Sequence, residues 1–296
     1  MEPIYGPTYL PRKFKIAVAV PPRNDVDVHA HDLGYVAIPG GGWTVTIGGG
    51  MGMSHGNTAT FPRLADNLCF VSTPAEAVAV AVAVVTTQRD AGDRKNRKHA
   101  RLKYTVEDRG IAWFRAEVAV RAGFTLQEPR PYTFTSNGDA LGWTHVNTDG
   151  DDVLTSYTFF IQNGRIRDVG TYRIKSGLAA IAAWMPDAAG PSASIRFTPN
   201  QNVVAAGLPQ HVLVAFKGLL TEFGIINGAH SGLRLNSMAC VSMPTCGLAL
   251  AEAERYLPVL LTRLEIAVEE AGLRDDAITI RMTGASCVAW RRGYIM

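Results

Sequence analysis

Two short stretches carry side chains that could do chemistry. In Asn236-Ser237-Met238-Ala239-Cys240-Val241-Ser242-Met243-Pro244-Thr245-Cys246, two thiols are separated by a short loop segment. Pro244 keeps the loop from being helical until Thr245 can cap the next residues, which predicts Cys246 in the first turn of a helix running on toward Arg255. Unpaired backbone N–H groups and the positive end of the helix dipole favour a thiolate there. Thiolates on an irregular loop suit an iron–sulfur cluster; taken alone, a pair of small buried thiols is the simpler reading. The other stretch is Leu10-Pro11-Arg12-Lys13-Phe14-Lys15, within a strand predicted over Thr8 to Val20 and entered from a proline turn. Period two sets Lys13 and Lys15 on one face and Arg12, Phe14 and Ile16 on the other. Neighbouring ammonium groups repel, which lowers each pKa and makes either a better proton donor. From spacing alone, a solvated basic strand end is again the simpler reading.

The chain has to supply elements that hold these stretches. Its 296 residues, 47% hydrophobic, can bury a sizeable core in one large domain or two ordinary ones. With 19% charged residues and a net charge of +3, nothing global argues for nucleic acid or a membrane surface. The start, Met1-Glu2-Pro3-Ile4-Tyr5-Gly6, lacks a basic segment followed by an apolar one, so a cytoplasmic protein is expected. Four Cys without secretion signals suggest a reducing compartment, and Cys69, inside an apolar run, reads as core.

Asp25, Asp27, His29 and His31 alternate, so an extended strand would aim all four one way, as in a metal site; a wet strand face is the plainer account. Gly40-Gly41-Gly42 predicts a turn, and the run from Gly48 to Asn57 lets backbone approach something flat or anionic without matching a nucleotide-binding loop. Thr73-Pro74-Ala75-Glu76 is a helix start, which makes the alternating run 77–85 a buried helix, well short of the roughly 20 residues of a membrane span. The basic stretch 94–104 lacks interleaved aromatics for stacking on bases. A helix with Ile111, Phe114 and Val118 on one face is expected to end at Gly123. From Pro129 onward strands and turns dominate: 132–134, 155–161 and 194–197, with Asn137-Gly138, Asp149-Gly150 and Asn163-Gly164 as turns and a short helix over 177–184. A helix after His211, another opened by Pro258 with a Leu260, Leu264, Val268 stripe, and a strand over 278–283 complete an α+β expectation.

The string N-S-M-A-C-V-S-M-P-T-C-G-L-A-L-A-E-A-E-R-Y-L-P resembles the first cluster-binding segment of the siroheme-containing sulfite and nitrite reductases, in particular the hemoprotein subunit of sulfite reductases. L-P-R-K-F-K resembles that family's active-site segment, and Thr198-Pro199-Asn200-Gln201-Asn202 resembles its Thr-x-x-Gln-Asn signature. The resemblance implies a siroheme coupled to a [4Fe–4S] cluster. Lys13 and Lys15 would hold the substrate anion; Arg97, Arg101 and Lys103 would bind siroheme carboxylates; the amides of Gln201 and Asn202 would border the macrocycle; Cys240 and Cys246 would be cluster ligands. The family continues with Thr-Gly-Cys-x3-Cys, whereas here Thr283-Gly284 runs into Ala285 and Ala289 at the two ligand positions, with Cys287 between them. It further implies sulfite as substrate, a flavoprotein carrying NADPH electrons or a ferredoxin as donor, and no nucleic-acid or membrane partner. Related nitrite reductases carry an amide where Lys15 stands, so sulfite is preferred, with a nitrite reductase or a non-catalytic remnant as alternatives. The implied architecture is α+β: an incomplete siroheme-binding lobe over 1–123, a ferredoxin-like domain over 124–213, and the start of a second siroheme and [4Fe–4S] lobe over 214–296.

Overall fold

The structure is a computed structural model that describes residues 2–53, 57–147, 153–227 and 230–284. The chain divides into two compact units, one ending at Gly138 and the other beginning at Asp139. Both combine a sheet with helices, as an α+β chain requires.

In the first unit, β1 (Ile16–Ala19), β2 (Leu33–Ala37), β3 (Trp43–Ile47) and β4 (Asp66–Val71) lie side by side in that order. The β1–β2 pair is parallel, Ile16 opposite Leu33, and the other two pairs are antiparallel. Gly40, Gly41 and Gly42 all take positive φ in the β2–β3 turn, a conformation glycine adopts without steric cost. Helix α1 (Pro74–Ala91) starts as its sequence predicts, with the Thr73 hydroxyl accepting from the Glu76 N–H and Pro74 in the first turn. Only one side of it is buried, through Val80, Ala83 and Val84. Helices α2 (Leu102–Arg109) and α3 (Ile111–Ala122) add Leu102, Val106, Phe114 and Val118 to the same core, against Leu33, Val45, Ile47, Leu68 and Cys69 of the sheet. Gly123 ends α3 in the left-handed conformation. A smaller cluster brings Ala17, Ala19 and Val36 together with Val28, Tyr132 and Phe134.

Several expectations in this unit are corrected. The first strand spans Ile16–Ala19 rather than reaching back to Thr8, because the Lys15 N–H is taken by the Asp32 side chain instead of a strand neighbour. The Asp25–His31 run is not extended: Asp27 has φ 49° and a 3-10 turn covers Val28–Ala30, so the four side chains do not share a face. Among the described residues no group of three or more His, Cys, Asp or Glu side chains is placed to hold a metal ion. Tyr132 and Phe134, partly buried, pack against the smaller cluster without forming a strand.

In the second unit, β5 (Gly142–Asn147), β6 (Val153–Phe159), β7 (Ser194–Phe197) and β8 (Val203–Leu208) form an antiparallel sheet in the order β7-β8-β6-β5. Helices α4 (Ile174–Ala189) and α5 (Leu213–Glu222) pack Ile181, Met185, Phe216 and Leu220 on Tyr157, Phe159, Val203 and Ala205. Helix α4 is longer than its predicted core, 177–184, and carries Pro186. Next come α6 (Gly232–Asn236) and α7 (Leu257–Glu270), whose Leu233, Leu257 and Leu261 build a separate cluster with Ala239 and Ala253. Leu260, Leu264 and Val268 lie at its edge, partly buried. The predicted strand 278–283 contracts to Arg281–Met282, paired in parallel with Met238–Ala239. Asn163 and Gly164 form the expected positive-φ turn, whereas Asp149-Gly150 lies outside the described residues. No described helix is long and apolar enough to cross a membrane.

Two glycines test how tightly the chain is packed. A Cβ on Gly49 would fall inside the van der Waals shells of the His29 and His31 carbonyls, whereas one on exposed Gly218 would meet nothing within 4 Å. Urea unfolding is therefore expected to show Gly49→Ala destabilised by about 1–3 kcal/mol and Gly218→Ala stabilised by about 0.5–1 kcal/mol. Equal stability of the two variants would contradict this packing.

Candidate anion pocket and cysteine loop

The basic residues of the first unit meet around one buried carboxylate. Asp32, at 0% exposure just before β2, accepts from Arg101 through Nε at 3.2 Å and through Nη2 at 2.9 and 3.0 Å, and from the Lys15 backbone N–H at 3.0 Å. Burial pushes the Asp32 carboxyl up, and the Arg101 charge and hydrogen bonds pull against it. The Lys15 carbonyl in turn accepts from the Leu33 N–H, so the residue before β1 is pinned on both sides. This leaves the Lys13 and Lys15 side chains exposed on an irregular lead-in rather than on a strand. The Lys15 ammonium lies below its ordinary pKa, first through partial burial, then through the Lys13 and Arg101 charges, with Asp32 acting the other way. Arg12 is lowered as well, by burial and then by the Arg97 and Arg101 charges, which draws exposed Arg97 into the same field.

Lys103 sits differently from its neighbours. It is at 0% exposure in the first turn of α2, and its ammonium donates to the carbonyls of Gly50 at 3.0 Å, Gly52 at 2.6 Å and Phe61. An ammonium has three donors, and all three are satisfied here. Burial, followed by the Arg101 charge, brings its pKa down to about 8, with Asp32 opposing. The glycine run is packed on the protein itself. Gly49 N–H donates to the His31 carbonyl, and a Cβ on Gly50 would come within 3.2 Å of both the Arg101 Nη2 and the Lys103 Cδ. Close backbone approach is what the glycines permit, as their spacing predicts, but for residues 48–50 the near surface is the chain's own cations and backbone. Ser54, His55 and Gly56 lie outside the described residues.

In the second unit the cysteine loop departs from expectation. No helix follows Thr245: residues 247–256 are turns, and α7 begins only at Leu257. The reason is in the backbone pairing, since the Leu250 and Ala251 N–H groups both donate to the Gly284 carbonyl, at 2.7 and 2.9 Å, instead of to carbonyls four residues back. The Cys246 N–H closes a tight turn onto the Ser242 carbonyl at 2.8 Å, with Ser242 at φ 50° and a cis Met243–Pro244 bond. The Cys240 N–H donates to the Met282 carbonyl, and its Sγ lies 3.4 Å from the Thr283 hydroxyl. Burial raises the Cys240 thiol, but hydrogen bonds from Thr283, Gly284 and Ser242 outweigh it and hold the thiol below its ordinary value. Cys69 is the opposite case: fully buried, as its apolar surroundings predict, and pushed by burial up to about 12.

The two amides beside this loop are engaged within the protein. Asn202 is buried, accepts from the Ile161 N–H at 2.9 Å and donates to Asp139 at 2.8 Å. Asp139 also takes the Thr198 hydroxyl and the Asn200 amide. Gln201, at φ 68°, donates to the Ala239 carbonyl at 3.0 Å, next to Cys240, while its own side-chain oxygen is buried without a hydrogen-bond partner.

The structure thus gathers Lys13, Lys15, Arg97 and Arg101 in the first unit, with Lys103 behind them, and Gln201, Asn202, Cys240 and Cys246 in the second. Two thiols would supply half of the four-thiolate set of a cubane cluster; Ala285, Cys287 and Ala289 lie outside the described residues. Sequence reasoning passed over Asp32 and Arg12. A lone Asp directly before an apolar strand, and the third basic residue of Arg12-Lys13-Phe14-Lys15, were the signals available for them.

The family model for the nitrite and sulphite reductase 4Fe-4S domain matches residues 1–126. The chain is 54% identical over 289 residues to the sulfite reductase [NADPH] hemoprotein beta-component of Methylobacterium sp. (strain 4-46), covering 96% of this chain and 46% of that one. It is 48% identical over 288 residues to the beta-component of Staphylococcus saprophyticus, covering 96% and 48%. The structure of Mycobacterium tuberculosis NirA superposes with a TM-score of 0.77 at 28% identity, over 95% of this chain and 50% of that one. The chain spans about half the length of the curated relatives it matches. Its first 126 residues match the nitrite and sulphite reductase 4Fe-4S domain, and over 96% of its length the chain is similar to sulfite reductase hemoprotein beta-components.

Proposed function

We propose that the chain is part of the hemoprotein component of an assimilatory sulfite reductase, which reduces sulfite to sulfide by six electrons at a siroheme coupled to a [4Fe–4S] cluster. The observation that carries this reading is that Asp32 joins Arg101 to the Lys15 backbone, which ties the start of α2 to the Arg12-Lys13-Phe14-Lys15 segment, with Lys13, Lys15 and Arg97 exposed. A field of cations with free donors suits a polycarboxylate macrocycle and a small oxyanion, because both need charge-assisted hydrogen bonds to leave water. Arg97 and the free donors of Arg101 would hold carboxylates of the macrocycle, and Lys103 would act behind them by closing the glycine run. Siroheme, when bound, supplies the iron centre at which the anion is reduced. The chain's own part is to neutralise the anion with Lys13 and Lys15 and to deliver protons from an ammonium already below its ordinary pKa.

Sulfite is favoured over nitrite because position 15 is Lys, a proton-bearing cation rather than an amide. The NADPH in the names of the relatives favours a flavoprotein over ferredoxin as donor, and a cytoplasmic location follows from that pairing. A siroheme-binding lobe to residue 123, a ferredoxin-like domain to 213 and the start of a second lobe are part of this reading; the antiparallel sheet and paired helices of the second unit support the ferredoxin-like part, while the boundary between the compact units falls at 138/139. Cys240 and Cys246 would enter the cluster as thiolates.

Two measurements check these assignments. In a full-length beta-component whose matching segment is replaced by residues 1–284 of this chain, Lys15→Met is expected to lower sulfite turnover by about 100-fold or more while siroheme content stays unchanged. Unaltered turnover would reduce Lys15 to a surface charge, and faster turnover of nitrite than of sulfite by the parent would overturn the substrate. In the chain as it stands, iodoacetamide at neutral pH and then peptide mass spectrometry are expected to show Cys240 labelled well before Cys69, because the thiolate is the reactive form. Equal rates would contradict the prepared thiolate at Cys240.

A further inference from the structure

We propose that Asp32 is the positioning residue of the anion pocket, fixing Lys15 and Arg101 in a single arrangement. The inference rests on the functional reading above. Its basis is geometric. Arg101 and Lys15 stand on segments far apart in sequence, one at the start of α2 and one just before β1, and a single carboxylate bonds to both. Asp32 itself is held from the other side, since its carbonyl accepts from the Gly48 N–H at 2.9 Å. It is completely buried, so it is not available to an incoming anion. With its Nε and Nη2 spent on Asp32, Arg101 keeps its Nη1 N–H groups for a ligand, and Gly50 leaves the space that the guanidinium needs.

The chemistry separates positioning from charge. If Asp32 were only a negative charge in a basic pocket, removing that charge would strengthen anion binding. If it positions the cations, removing it weakens binding even though the pocket becomes more positive. Asn in its place would keep one acceptor and turn an NH2 toward the Arg101 or Lys15 donors, so donor would face donor.

The test uses the full chain, checked for native circular dichroism, with sulfite as the probe in calorimetry at neutral pH. Asp32→Asn is expected to lower sulfite affinity by about tenfold. The double variant Asp32→Asn/Arg101→Met is expected to bind no more weakly than Arg101→Met alone, because both lose one arrangement. An Asp32→Asn chain that binds sulfite as well as the parent, or better, would overturn the proposal, and so would a lowered melting temperature with unchanged affinity. Amide hydrogen exchange at Lys15 gives a second readout that needs no ligand. It is expected to be slow in the parent and at least about tenfold faster in Arg101→Met, where Asp32 is intact but has lost the guanidinium that orients it. Unchanged exchange in Arg101→Met would overturn the proposal even where the Asp32 variants fail to fold. A parent chain that binds no sulfite while Arg101→Met still speeds Lys15 exchange would count against the functional reading alone and leave the role of Asp32 standing.

Discussion

The first unit depends on a carboxylate buried among cations. Asp32 is wholly out of water, an environment in which an unpaired charge is prohibitive, and it is tolerated only because Arg101 meets it with a planar fork of donors and Lys15 adds a backbone N–H. Removing one partner of such a pair typically costs about 3–5 kcal/mol. The consequence is architectural: the short β1 strand, its basic lead-in and the start of α2 are tied to one point before β2. The exposed ammonium group of Lys15 then projects from a backbone pinned on both sides, and exposure and order coexist.

A second buried charge does related work nearby. Lys103 has its three donors on the carbonyls of Gly50, Gly52 and Phe61, so it fastens the glycine run from within. The glycines are needed because the Arg101 guanidinium, the Lys103 stem and the His29–His31 backbone all press on residues 49 and 50. In the second unit the same economy holds with neutral groups: Asp139 gathers Thr198, Asn200 and Asn202, while Gln201 reaches the carbonyl next to Cys240. Of these residues, the resemblance implies cofactor contact for Lys103, Gln201 and Asn202 alone, and the hydrogen bonds show what each does in the chain itself.

Much of the fold was legible in the sequence because local chemistry agrees with the outcome. The Thr73 cap, the Gly40–Gly42 turn, the Gly123 terminus of α3 and the Pro258 start of α7 rest on backbone rules that need no tertiary partner. The misses came where a distant group captured a backbone donor. Asp32 takes the N–H of Lys15 and shortens the first strand, and Gly284 takes those of Leu250 and Ala251, so a segment of high helix propensity stays in turns. For the site, the residue types marked the candidate segments, but which cations stay exposed and which are consumed internally was not readable, because Lys15 and Lys103 differ only in what folds over them.

The central claim is that the exposed cations of the first unit face a bound polycarboxylate and anion, while Lys103 is internal. The most direct measurement is amine-reactive footprinting, read by mass spectrometry, of a full-length beta-component carrying this segment, with and without siroheme. Lys13 and Lys15 are expected to be labelled in the empty protein and protected when siroheme is bound, with Lys103 unlabelled in both. Labelling of Lys13 and Lys15 that is the same in both states, or a Lys103 that reacts in the empty protein as fast as Lys15, would contradict the claim.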